Sequence, residues 1–188
     1  GAGTAELLAA MDLALGALDA RDASAPARLP VDRVFTVEGF GTVVTGTLWR
    51  GRAATGDTLE LLPGAKTVRV RRVQVHGATV DEARAGQRTA LALHGVEKDD
   101  VTRGDWLVAP GSLRSSRILD VRFELLPDIP KPWPAQSRIR FHLGAGETLG
   151  RLVVLEGDAV VPGSSALAQL RLESAVVAAR GDRFVIRS

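Results

Sequence analysis

Three short stretches of this 188-residue chain set charged side chains, glycines or both at strand-like spacing. DRVFTV, residues 32–37, sets Asp32 beside Arg33 at a strand start, where the two form either an exposed ion pair or part of a polar pocket. GFGTVVTG at 39–46 then places three glycines around an alternating Thr/Val strand. Glycine permits a tight turn and lets a ligand approach the backbone closely. The period of two continues and no helix follows, so this is not a dinucleotide fingerprint, and a plain hairpin accounts for it equally. RAGQRTALALHG at 84–95 brings Gln87 and Arg88 to the entrance of a strand whose Leu91 and Leu93 face one side. Taken alone, Arg88 reads as a solvated strand-end charge. His76, His94 and His142 lie far apart without metal-ligand spacing, and there is no Cys, so no metal site is expected. With no G-x-S-x-G, no P-loop and no carboxylate pair in an obvious cleft, no catalytic residue is expected either.

The composition is that of an ordinary globular chain. Apolar residues make up 45% and charged residues 24%, which excludes disorder and fibrous classes. Disulfides, cysteine-ligated zinc and thiol catalysis are impossible without Cys. No apolar run reaches the length of a membrane span and no signal-like segment opens the chain, so the expectation is a cytoplasmic protein without membrane contact. The net charge is only +2, but the cations divide into 21 Arg and 3 Lys. Arg presents a planar fork to phosphate and carboxylate, although a genomic Arg bias explains the ratio as well.

The elements that must position these residues are mostly strands. Residues 4–19 read as a helix, with Thr4 placed to cap and Leu7, Leu8, Met11, Leu15 and Leu18 at helical spacing on one face. A linker follows at 20–29. Strands are predicted near 30–37, 41–50, 57–62, 67–76, 87–94 and 105–109, then near 117–126, 137–143, 147–156, 165–173 and 182–187. TRGDWLVAPG at 102–111 reads as the closure of the first unit and a hinge, and DIPKPWP at 128–134 is predicted to be a loop because Pro lacks the ladder donor. The expected class is all-β: two consecutive β-barrels preceded by one short helix.

In order, DRVFTVEGFGTVVTGT, VRVRRVQVHG, AGQRTALALHG and TRGDWLVAPGS resemble the second domain of translational GTPases of the elongation factor Tu class. VDRVFTVEGFGTVVTGTLWRG followed by AGQR is most similar to the selenocysteine-specific branch (SelB), and FHLGAGETLGRLVVLEG, VVPGSSALAQLRL and ARGDRFVIRS resemble its third domain. GAGTAELLAAMDLALGAL resembles the segment that closes the GTPase domain. The resemblance implies three parts: 1–27, a helical remnant of the GTPase domain with a linker; 28–112, the barrel that holds the aminoacyl end; and 113–188, the barrel that binds the tRNA stem. It also implies a parent protein that uses GTP and Mg, with the ribosome and selenocysteinyl-tRNA as partners. It further implies an mRNA hairpin bound through domains beyond residue 188, and a monomeric protein.

Residue by residue, the resemblance assigns Gly39, Phe40, Gly41, Thr45 and Gln74 to a pocket for the tRNA 3'-adenosine. Asp32, Arg33 and Arg88 line the aminoacyl side. The general factor carries Glu-Asp and Asn where this chain has Asp32-Arg33 and Arg88, and Gln74 stands where that factor has Glu. In the third domain, Arg138, Arg140, His142 and Arg180 are the candidates for stem phosphates. Other readings stay open: the same barrels in an initiation factor or a general aminoacyl-tRNA carrier, or in a GTPase that regulates a sulfate-activating enzyme.

Overall fold

From residue 28 onward apolar and polar side chains alternate, and the computed structural model, which describes residues 2–18 and 21–187, answers that pattern with antiparallel strands. The first ten are β1 (Arg28–Pro30), β2 (Arg33–Val37), β3 (Gly41–Thr47), β4 (Arg52–Ala54), β5 (Thr58–Leu62), β6 (Lys66–Val75), β7 (Ala78–Val80), β8 (Glu82–Arg84), β9 (Arg88–His94) and β10 (Trp106–Val108). They curl into a barrel with strand order β1-β10-β5-β6-β9-β3-β2, with β7 on β6 and β4 paired to β8. Its core holds Leu29, Val44, Leu61, Val73, Leu91 and Leu107. β3 passes so close to β1 that a Cβ on Gly46 would stand 2.1 Å from the Pro30 carbonyl oxygen, which leaves glycine as the only fit.

The second barrel comprises β11 (Ser115–Glu124), β12 (Trp133–Pro134), β13 (Gln136–Leu143), β14 (Gly146–Val154), β15 (Ala159–Val160), β16 (Ser165–Val177) and β17 (Val185–Arg187). Its main sheet runs β11-β16-β14-β13-β17 around Ile139, Phe141, Leu152 and Leu170. The same core takes in Leu62, Trp106 and Val108 from the first barrel, so the two units share apolar surface. A buried ion pair crosses the seam. Arg28, 4% exposed, donates from Nη1 and Nη2 to the two carboxylate oxygens of Asp182, both at 2.6 Å. Its guanidinium lies 4.2 Å from the Trp106 ring centre and 5.4 Å from that of Trp49.

Three expectations need correction. The stretch 30–37 is two strands, because β1 pairs with β10 and β2 with β3, and the chain changes partners at Val31 and Asp32. Residues 128–134 are not wholly loop: Trp133 and Pro134 pair with Val160 and Ala159, a two-residue ribbon outside the main sheet where the missing Pro donor is tolerated. The helix α1 spans Thr4–Gly16 with Gly3 as its N-cap, so Thr4 is its first residue rather than its cap. The expected helix end at residue 19 lies outside the described residues. Leu7, Leu8, Met11 and Leu15 are 50–61% exposed, so the apolar face covers nothing here.

Candidate nucleic-acid interface

Most of the first-domain candidate side chains fall on one face of one sheet. Successive side chains of a strand point to opposite faces, so residues two apart share a face. On β9, Leu91 and Leu93 turn into the core while Arg88, Ala90 and Ala92 turn outward. Register then builds two adjacent rows on the outer face. One reads Arg72, Ala92, Val43, Phe35 across β6, β9, β3 and β2; the next reads Gln74, Ala90, Thr45, Arg33.

In the second row and beside it, Asp32 is the hub. It accepts a 2.7 Å hydrogen bond from the Thr45 hydroxyl and is gripped by both terminal nitrogens of Arg88, Nη2 at 3.0 Å. Arg88 Nη2 also reaches the Thr45 oxygen at 3.4 Å. Partial burial pushes the Asp32 carboxyl up, but hydrogen bonds from Arg88 and Thr45, with the charges of Arg88 and Arg33, outweigh it and hold it below the usual carboxylate range. Asp32 is therefore ionised, and with Arg88 and Arg33 the cluster carries one net positive charge. Arg88 keeps half of its side chain in solvent, so donors not turned to Asp32 remain available.

The first row lines a groove of about 130 Å³ bounded by Phe35, Val37, Phe40, Val43, Arg72, Gln74, Ala90 and Ala92. Ala90 and Ala92 stand opposite Gln74 and Arg72, and their short side chains open the hollow. Phe40 comes from the β2–β3 turn, which Gly39 and Gly41 enable with φ of 77° and 74°. The structure thus gathers Phe40 and Gln74 into one groove, uses Gly39 and Gly41 to aim Phe40, and turns Thr45 toward the Asp32–Arg88 pair instead. Phe35, Val37, Val43 and Arg72 were not singled out from the sequence as pocket residues; the alternation from the already suspected Phe40 and Gln74 would have found them.

On the second barrel, Arg138, Arg140 and His142 share the outer face of β13. Register sets Arg138 opposite Arg151, and Arg151 opposite Arg171, so three cations line up across β13, β14 and β16; Arg140 stands opposite Arg187. Like charges directly opposite cost stability. Relief is partial: Arg138 has Glu173 at 3.6 Å, Arg171 has the Gln169 amide oxygen at 2.9 Å, and Arg140 pairs with Glu147. The Arg151 side chain has no hydrogen bond or ion pair among the described residues. Arg151, Arg171 and Arg187 were missed in the sequence because the row exists only once three strands are in register. Arg180 is not part of it; it lines a separate hollow with Leu119 and Phe184.

Residues 41–108 match the family model for elongation factor Tu domain 2, and residues 120–188 match that for the β-barrel domain of the selenocysteine-specific elongation factor. A selenocysteine-specific elongation factor from Desulfomicrobium baculatum is 41% identical over 161 residues, 86% of this chain and 25% of the relative. Among solved structures, the elongation factor SelB of Methanococcus maripaludis superimposes with a TM-score of 0.84 at 25% identity, covering 99% of this chain and 44% of that one. A bacterial selenocysteine-specific elongation factor gives 0.81 at 30% identity, covering 99% and 30%. The chain spans about a quarter of the length of the curated selenocysteine-specific relatives it matches. Two barrels in this order, each matched by its own domain model, place the chain in the selenocysteine-specific elongation factor family of the elongation factor Tu class.

Proposed function

We propose that this chain is the tRNA-gripping part of a translation elongation factor that carries selenocysteinyl-tRNA to the ribosome. The observation that carries the reading is the juxtaposition, on one sheet face, of a mostly apolar groove of about 130 Å³ with a cation cluster one row away. In this reading the terminal adenosine enters the groove beside Gln74 and Phe40, and the aminoacyl group reaches Arg88 and Arg33. The second barrel's arginine row, Arg138, Arg151 and Arg171, meets phosphates of the stem, contacts that position an RNA without reading its sequence. GTP and Mg are held by a part of the factor these residues do not include, as are the groups that recognise an mRNA hairpin.

The charge cluster supplies discrimination. A thiol titrates near 8.5, and a selenol is considerably more acidic, so selenocysteine arrives as an anion while serine stays neutral. Asp32 holds Arg88 in place, and the surplus charge of Arg33 leaves the site net positive toward that anion. Charged hydrogen bonds of this kind are worth about 1–3 kcal/mol. A serine hydroxyl leaves the guanidinium donors underused. The test is the affinity of the intact GTP-bound protein for selenocysteinyl-tRNA and seryl-tRNA. Arg88→Ala should shrink the ratio between them by roughly 5- to 150-fold; equal loss for both ligands removes the assignment.

A further inference from the structure

The alternation of β6 breaks at one point. Val68 and Val70 face the core, which by period two would send residue 72 inward as well; instead Val73 and Val75 are buried. A β-bulge explains it: the pairing with β9 steps from Val70–Leu93 to Arg72–Ala92, leaving Arg71 as the extra residue. The bulge turns Arg72 and Gln74 outward together, onto the groove.

Arg72 does not behave as a solvated charge there. Its guanidinium carbon lies 4.6 Å from the centre of the Phe40 ring. It has no ion pair or hydrogen bond among the described residues. No carboxylate lines the groove; its other walls are apolar except for Gln74. A planar cation over an aromatic ring, above a floor of Ala and Val, offers a stacking platform for a nucleobase, which has a π face whatever its identity.

We infer that Arg72 and Phe40 form a stacking wall for the terminal base of a single-stranded nucleic acid end, with Arg72 acting through its plane rather than through its charge. This rests on the reading that the groove receives a tRNA 3' end, and it assigns to Arg72 a positioning role for that base. Gln74, on the same strand face, then offers its amide to the base edge, the pairing that suits adenine N6 and N7.

The experiment uses the intact protein and RNA oligonucleotides ending in CC-2-aminopurine, whose fluorescence is quenched on stacking, beside the same oligonucleotide with an abasic last position. The wild type should bind the base-bearing probe with a change in fluorescence, and the abasic probe more weakly. Arg72→Ala should lose roughly 5- to 150-fold in affinity for the first probe and nothing for the second. Arg72→Lys, which keeps the charge and loses the plane, should behave like Arg72→Ala. If Arg72→Lys binds as the wild type does, or if both variants leave affinity and fluorescence unchanged, the stacking role is overturned while the groove reading stands. If the wild type binds both probes equally, or neither, the groove is not a base site and the underlying reading falls with it. Phe40→Leu, confined to an exposed turn, serves as a second variant should position 72 disturb the bulge, and it should show the same selective loss.

Discussion

Removing the carboxylate of Asp182 should unfasten the two barrels at a high energetic cost. Arg28 is 4% exposed, and both of its bonds to Asp182 measure 2.6 Å. Among the described residues its only other acceptor is the Val177 carbonyl oxygen at 3.4 Å, and its Nε has no partner there. In Asp182→Ala the guanidinium stays enclosed by Trp49 and Trp106 with its charge unanswered. Deleting one partner of a buried pair costs about 3–5 kcal/mol, which in a chain of this size lowers the melting temperature by about 6–20 °C. The double variant Arg28→Met/Asp182→Leu removes both charges and keeps apolar volume, so it should recover much of that loss. Urea unfolding of wild type, Arg28→Met, Asp182→Leu and the double variant closes the cycle. The ion pair at the seam should also resist salt, unlike the exposed Lys66–Asp100 pair. A cost below about 1 kcal/mol for Asp182→Ala, the level of a surface pair, would refute the idea that this contact fastens the seam.

Two further outcomes follow from the charge arrangements. The Asp32 carboxyl sits below its ordinary range in the folded chain, so its contribution to stability is fully present above the unfolded value of about 3.9 and fades as pH falls through the folded value. Asp32→Asn should therefore cost stability at pH 7 and progressively less in that acid window, as read by urea midpoints; a cost independent of pH contradicts the linkage. Arg151→Gln should stabilise the second barrel by about 0.2–1 kcal/mol, because it lifts like-charge opposition to Arg138 and Arg171. In the intact protein the same change should weaken tRNA binding and make the salt dependence shallower by about one phosphate contact; a destabilised barrel or an unchanged slope argues against an arginine row kept for RNA.

The barrels were legible in the sequence wherever strands are long enough to show their period. β3, β6, β9, β13, β14 and β16 all lie where alternation puts them. The two- and three-residue strands β4, β7, β8, β12 and β15 were not, since two residues carry no period and Pro134 argues against pairing. Asp32 and Arg88 stood out locally as charges at strand ends, but only the resemblance put them in one site. They are 56 positions apart, and no local rule connects two strand ends that only the fold brings together. Arg28 was invisible for the opposite reason: the expected linker over 20–29 took it in, and a charge there reads as solvated, whereas it opens β1 and its burial depends on Asp182 from the other barrel. The helix was legible from its leucine stripe, but a stripe at helical spacing reports an apolar face without reporting what covers it.

The bulge at Arg71 has a consequence for how this sheet tolerates length changes. Deleting that single residue would set Val70, Arg72, Val73 and Gln74 in unbroken alternation, inward, outward, inward, outward, each still opposite its present β9 partner. The outward wall therefore survives the loss of Arg71, and what goes is the local bend and added twist that a bulge gives its strand. Removing a residue from a regular stretch such as β9 would instead send every side chain on one side of the cut to the other face. Position 71 is thus a place where the sheet can lose one residue and keep both of its faces.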